Sequence, residues 1–303
     1  MRMIPKTVLS LVCLTGLLPA CSTSEPETSA RPNIVVTYSV LGSVVTDLVG
    51  DAADVTILIP DGQDPHDFQP SARDIETINN ADIVVSNGLD FEEGLEDVLA
   101  SAIESGVSVY MVGENITVRE PDEDHAEEDQ AEEEGHAHGA GDPHLWLSPL
   151  SFTQALPSLT AAINKATGLS IDETTALDQL TKLDNEITEV IDTIASCVMV
   201  RGHDEMGYFA DRYGCTVIGA IIPSFSTTSE ATAKQIADLK VLAASNNVKA
   251  VFTGLGTPAE VSEQLASELG IAAVSLSTHY LNGAANYREF MLNLANQIAE
   301  ALR

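Results

Sequence analysis

Positive charge is what this 303-residue chain has least of: 14 Lys and Arg stand against 46 Asp and Glu, a formal net charge of −32. A surface of that sign repels nucleic acid and anionic membranes, so neither is an expected partner. It attracts cations, but only diffusely, and solubility or a saline habitat would explain it equally well. Long apolar runs are also missing. Val8 to Leu18 is the N-terminal candidate, and it is too short to span a bilayer comfortably. Hydrolase signatures are absent too: there is no His-Glu-x-x-His and no Gly-x-Ser-x-Gly. Cysteine is scarce, at four residues. Cys13 lies in the N-terminal apolar run and Cys21 follows it. Cys197 and Cys215 remain as an even pair, expected as a disulfide in an oxidising compartment or else as two buried thiols.

The N-terminus reads as a targeting segment. Arg2 and Lys6 precede the apolar run, which ends in Leu18-Pro-Ala-Cys21. That ending resembles a bacterial lipobox, which would make residues 1–20 a signal peptide and Cys21 the lipidated residue. A plain signal peptide with an incidental cysteine is the alternative. Residues 21–32, rich in Ser, Thr, Glu and Pro, suit a flexible tether. One acyl anchor would hold a folded domain at a membrane without spanning it.

From Asn33 onward apolar strand-like runs alternate with helical patterns, which argues for parallel sheets flanked by helices. The expected fold is α/β with two lobes, residues 33–168 and 197–303. One stiff helix within 169–196 joins them. Its pattern runs from Asp172 to Ala195, with Leu177, Leu180, Leu183, Ile187 and Ile191 at three- and four-residue steps. Residues 120–141 interrupt the first lobe. Ten acids fall between Glu120 and Glu134, a solvated composition that also carries His125, His136 and His138.

The other four of the seven histidines occupy loop positions. His66 follows Leu58-Ile-Pro-Asp-Gly-Gln-Asp-Pro, and His144 sits in Asp142-Pro-His-Leu-Trp. His203 follows Val198-Met-Val-Arg-Gly and is expected to open a helix. His279 follows Ala272-Ala-Val-Ser-Leu-Ser-Thr. Ligands of parallel sheets bind beyond the carboxyl ends of strands, so loops from two facing lobes would meet at a cleft. Imidazole suits Zn²⁺, and four nitrogens complete its tetrahedral shell. A single such histidine is more often a satisfied polar residue or a cap; four in one topological position point to a metal.

Three segments then resemble a known family. Pro60-Asp-Gly-Gln-Asp-Pro-His-Asp-Phe-Gln-Pro-Ser, Asp142-Pro-His-Leu-Trp-Leu-Ser-Pro and Gly202-His-Asp-Glu-Met-Gly-Tyr-Phe are similar, in order, to the metal motifs of the zinc/manganese solute-binding proteins of ABC importers (cluster A-I), in the zinc-specific type with a His-rich loop. The resemblance covers residue 33 to the C-terminus. It implies that His66, His144 and His203 are metal ligands and that an ABC permease is the partner. It also implies a periplasmic or cell-surface location and high-affinity zinc capture rather than catalysis. A monomer is expected, reaching the membrane only through its lipid anchor. The fourth position departs from the family: His279-Tyr-Leu stands where an Asp is common, and Gly254 where manganese-binding members carry Glu. Both changes remove oxygen ligands, which favours Zn²⁺ over Mn²⁺. His279 is taken as the fourth ligand, with water or a nearby acid as the alternatives. The acidic loop would bind zinc weakly and feed the main site. A metallochaperone or adhesin on the same fold, or a zinc hydrolase with Glu205 as its base, are the competing readings. Protonation of the imidazoles predicts weaker zinc binding below about pH 6.

Overall fold

The computed structural model describes residues 31–120 and 141–303. The expectations for the signal peptide, the tether, Cys21 and the loop histidines His125, His136 and His138 lie outside the described residues. Among the described residues, no helix is long and apolar enough to cross a membrane.

The first half builds one parallel sheet from β1 (Asn33–Tyr38), β2 (Asp54–Ile59), β3 (Ile83–Ser86) and β4 (Val109–Met111), in the order β2-β1-β3-β4. Its helices are α1 (Ser39–Val49), α2 (Ala72–Asn79) and α3 (Glu96–Glu104). The second half repeats the design. Strands β5 (Val198–His203), β6 (Thr216–Ile222), β7 (Ala250–Thr253) and β8 (Ala272–Ser275) form a parallel sheet in the order β6-β5-β7-β8. Its helices are α6 (Gly207–Tyr213), α7 (Ala233–Ser245) and α8 (Ala259–Leu269). The central strands are buried on both faces, which is why Ile34-Val-Val and Val84-Val read as unbroken apolar runs. Local chemistry sets the helix starts. Ser71 and Asp74 form a capping box on α2, and Thr232 and Gln235 form another on α7.

Three further helices, α4 (Pro149–Thr167), α5 (Thr174–Ile191) and α9 (Tyr287–Leu302), join the halves. Each sheet packs one face on a core of its own: Leu58, Ile78 and Leu99 for the first, Ile221, Leu239 and Leu265 for the second. The other faces share one core with α1, α4, α5 and α9, which includes Leu41, Leu159, Leu183, Phe209 and Leu294. The two halves therefore meet over continuous buried apolar surface rather than through one connection.

Several boundaries differ from expectation. The helical pattern of 172–195 shortens to α5. At its start the Asp172 carboxylate accepts the Thr174 N–H, and beyond its end Thr193 Oγ1 bonds back to the Val190 carbonyl, so local side-chain bonds replace helical ones. Helix α4 was not expected at all. Pro149 opens it at a position that needs no N–H donor, while Pro157 inside it breaks the sequence pattern. His203 closes β5 instead of opening a helix; α6 begins only at Gly207. Cys197 and Cys215 are disulfide-bonded, as the even pair allowed. They precede β5 and β6, which are neighbours, and the Thr216 N–H donates to the Cys197 carbonyl at 2.7 Å.

Candidate metal centre

The carboxyl ends of the two sheets face a common point, and four histidines reach it. His66 comes from the turn after β2. There the Gln63 N–H bonds back to the Pro60 carbonyl at 3.1 Å, and Asp64 accepts the His66 N–H at 3.1 Å. His144 precedes the short helical turn Leu145–Leu147, with the Pro143 carbonyl held by Asn87 Nδ2 at 2.9 Å. His203 ends β5 in register with Ile222 of β6. His279 follows β8, and Trp146 Nε1–H reaches across to the neighbouring Thr278 carbonyl at 2.6 Å. All four side chains are at most 2% exposed, and one ligand atom from each lies within 4.8 Å of the others.

The spacing suits a small cation. His144 Nε2 and His203 Nε2 are 3.2 Å apart. Tetrahedral Zn²⁺ with bonds of 2.0–2.1 Å sets its nitrogens about 3.3 Å from one another. Both ring nitrogens of His66 and the Nε2 of His279 are buried and make no hydrogen bond within the protein. Buried polar atoms are normally satisfied, so these nitrogens fit a ligand that accepts lone pairs. Phe91 and Trp146 wall the cluster with ring centroids 4.9 Å from His66 and 5.4 Å from His144.

The model of a family described as zinc-uptake complex component A, periplasmic (ZnuA), matches residues 34–301. The chain belongs to this family. The high-affinity zinc uptake system protein ZnuA of Bacillus subtilis is 31% identical over 277 residues, covering 86% of this chain and 84% of its own. The zinc-binding protein AdcA of Streptococcus pyogenes is 27% identical over 292 residues, which cover 90% of this chain. The match spans 56% of that longer relative, so this chain corresponds to about half of it. In fold, the periplasmic zinc-binding protein TroA of Treponema pallidum superposes with a TM-score of 0.75 at 22% identity, covering 90% of this chain and 99% of that one.

The histidine cluster is backed by carboxylates. Asp142 Oδ1 accepts His144 Nδ1–H at 2.9 Å and the His144 backbone N–H at 2.9 Å. Glu93 stands 3.5 Å from His66 Nδ1. Glu205 lies 3.7 Å from Nδ1 of both His203 and His279. His144 Nδ1 is committed to Asp142 and leaves Nε2 for the centre, whereas Nδ1 of His66 and of His203 stands near an acid without a hydrogen bond. Burial, and then the neighbouring imidazoles, hold His144 and His203 well below the ordinary histidine pKa; burial and then His66 do the same for His279. These three rings are therefore neutral near pH 7. Burial raises the carboxyls as well, Glu205 to about 7 and Asp142 well above its usual range.

The structure brings His66, His144, His203 and His279 together. His279 is no surface residue in an acid's place; it is 1% exposed and points into the cluster. At Gly254 an added Cβ would meet the Leu276 carbonyl at 3.1 Å and Thr278 Oγ1 at 3.2 Å, so a side chain there would be tight. Sequence reasoning assigned no role to Asp142, Glu93 or Thr278. It also passed over Arg119, whose backbone and side chain bond Tyr208 and Asp211 of α6 while its guanidinium lies 3.6 Å from Asp142.

Proposed function

We propose that this chain captures Zn²⁺ outside the cytoplasm and passes it to the permease of an ABC-type importer. His66, His144, His203 and His279 are the ligands. The observation that carries this reading is the convergence of four buried imidazoles within 4.8 Å, in a set with no oxygen ligand. Nitrogen donors favour Zn²⁺ over Mn²⁺, which prefers oxygen. A shell of four protein nitrogens also leaves no open position for a reacting water.

Access to so buried a site requires the halves to part locally. Two polar contacts cross there: the Thr227 hydroxyl donates to Asp64 at 2.7 Å and the Ser226 hydroxyl to Glu93 at 2.5 Å. Water substitutes readily for such bonds, whereas the shared core must stay closed. Opening is therefore small and confined to the mouth. The loop histidines His125, His136 and His138 collect zinc weakly and supply the main site. Lipidation at Cys21 keeps the monomeric carrier beside its permease.

Zinc titration against a competing chelator tests the ligand set. His66→Ala with His203→Ala removes one ligand from each half, and tight binding at one ion per chain is expected to disappear. Wild-type affinity in that double variant sinks the assignment. Loss of zinc uptake on deleting the gene, restored by the wild-type chain, tests the transport role.

A further inference from the structure

Glu205 is a carboxylate without an assigned task in the binding reaction. It is 2% exposed, two residues beyond His203, and turned back beneath the cluster. Its two oxygens divide between two histidines. Oε1 lies 3.7 Å from His203 Nδ1, and Oε2 lies 3.7 Å from His279 Nδ1. A second path reinforces the latter. The Thr278 hydroxyl donates to Glu205 Oε2 at 2.5 Å. With its proton committed there, the same hydroxyl accepts from His279 Nδ1–H at 2.9 Å. With Glu205 ionised, the relay runs from His279 to Thr278 to Glu205, which places the His279 proton on Nδ1. Gly254 lies against this pair: a Cβ there would press on Thr278 Oγ1 at 3.2 Å and touch Glu205 Oε1 at an ordinary 3.6 Å.

We propose that Glu205 is a shared positioning residue, a single carboxylate that fixes the tautomer and ring orientation of His203 and His279 together. His144 has Asp142 for this purpose and His66 stands beside Glu93, while Glu205 stands 3.7 Å from Nδ1 of both histidines of the second half. A carboxylate can face two N–H donors at once. An amide can face only one, since its other end is itself a donor. This inference rests on the reading of the four histidines as zinc ligands.

The test uses the full chain carrying Glu205→Gln and, separately, Thr278→Val. Zinc affinity is read by chelator competition, and ligand geometry by the visible absorption of the Co²⁺-loaded protein. Glu205→Gln is expected to weaken zinc about 10- to 100-fold, the range for partners behind metal-bound histidines, and to shift the Co²⁺ bands. Thr278→Val should weaken zinc less. In the double variant it should add little to Glu205→Gln, because it acts through the same carboxylate. Wild-type zinc affinity and an unchanged Co²⁺ spectrum in folded Glu205→Gln would overturn the proposal, even if thermal stability falls. Should that variant not fold, Thr278→Val decides alone: a weaker, spectrally shifted site supports the relay, and wild-type values overturn it. His203→Ala and His279→Ala run in parallel. If they too bind zinc as the wild type does, the ligand reading fails; if they lose zinc while Glu205→Gln does not, only the role of Glu205 fails.

Discussion

At the scale of single residues, the site is a problem in keeping imidazoles neutral and aimed. Burial does the first for His144, His203 and His279, and Asp142, which accepts the His144 Nδ1–H, does the second for His144. Lowered histidine pKa values have a consequence for the metal-free protein. The unfolded chain binds protons at about pH 6.5 while the folded rings refuse them, so stability from these histidines is present above that pH and is lost as pH falls through it. The raised carboxyls act with the opposite sign, so the histidine share is read as a difference. In chelator, denaturant unfolding of wild type and His279→Gln should show the wild type losing relative stability between pH 7.5 and 5.5. Equal slopes would mean that the ring is not held neutral. The clustering of the four histidines was legible because histidine is rare here and each stands beyond a strand or in a motif. Glu205 and Glu93 were not. Among 46 acidic residues nothing in sequence marks the few that the fold turns inward.

Secondary-structure elements place these side chains with little tolerance. Strand β5 carries His203 at its last residue, and the Cys197–Cys215 bond ties the starts of β5 and β6 at a sequence separation of 18. Closing a loop of that size constrains the unfolded chain by about 3 kcal/mol. Cys197→Ser with Cys215→Ser should therefore lower unfolding free energy by about 2–4 kcal/mol while zinc stoichiometry holds, measured by calorimetry and chelator competition. In α5, Leu183 is 1% exposed in the shared core, and Leu183→Ala should cost about 2–5 kcal/mol in denaturant unfolding. The strand–helix alternation was legible because the central strands are uniformly apolar. Helix α4 was not, since Pro157 on its exposed side hides a buried stripe of Phe152, Leu156, Leu159 and Ile163.

Across the whole molecule, two copies of one sheet topology present their carboxyl ends to each other, and a common core holds that arrangement. The identical strand orders, β2-β1-β3-β4 and β6-β5-β7-β8, set two histidines from each half around one point. A carrier built this way should bind one ion tightly with the loop or without it. Deletion of residues 121–140 should leave one high-affinity zinc per chain and remove only weaker additional binding. Loss of the tight site would contradict the accessory role given to His125, His136 and His138. If four imidazoles and no oxygen ligand hold the ion, anomalous diffraction from zinc-loaded crystals on both sides of the zinc edge gives one strong peak per chain, about 2.0–2.1 Å from a ring nitrogen of His66, His144, His203 and His279. A peak coordinated by a carboxylate in place of His279, or no peak among these four rings, would contradict that ligand set.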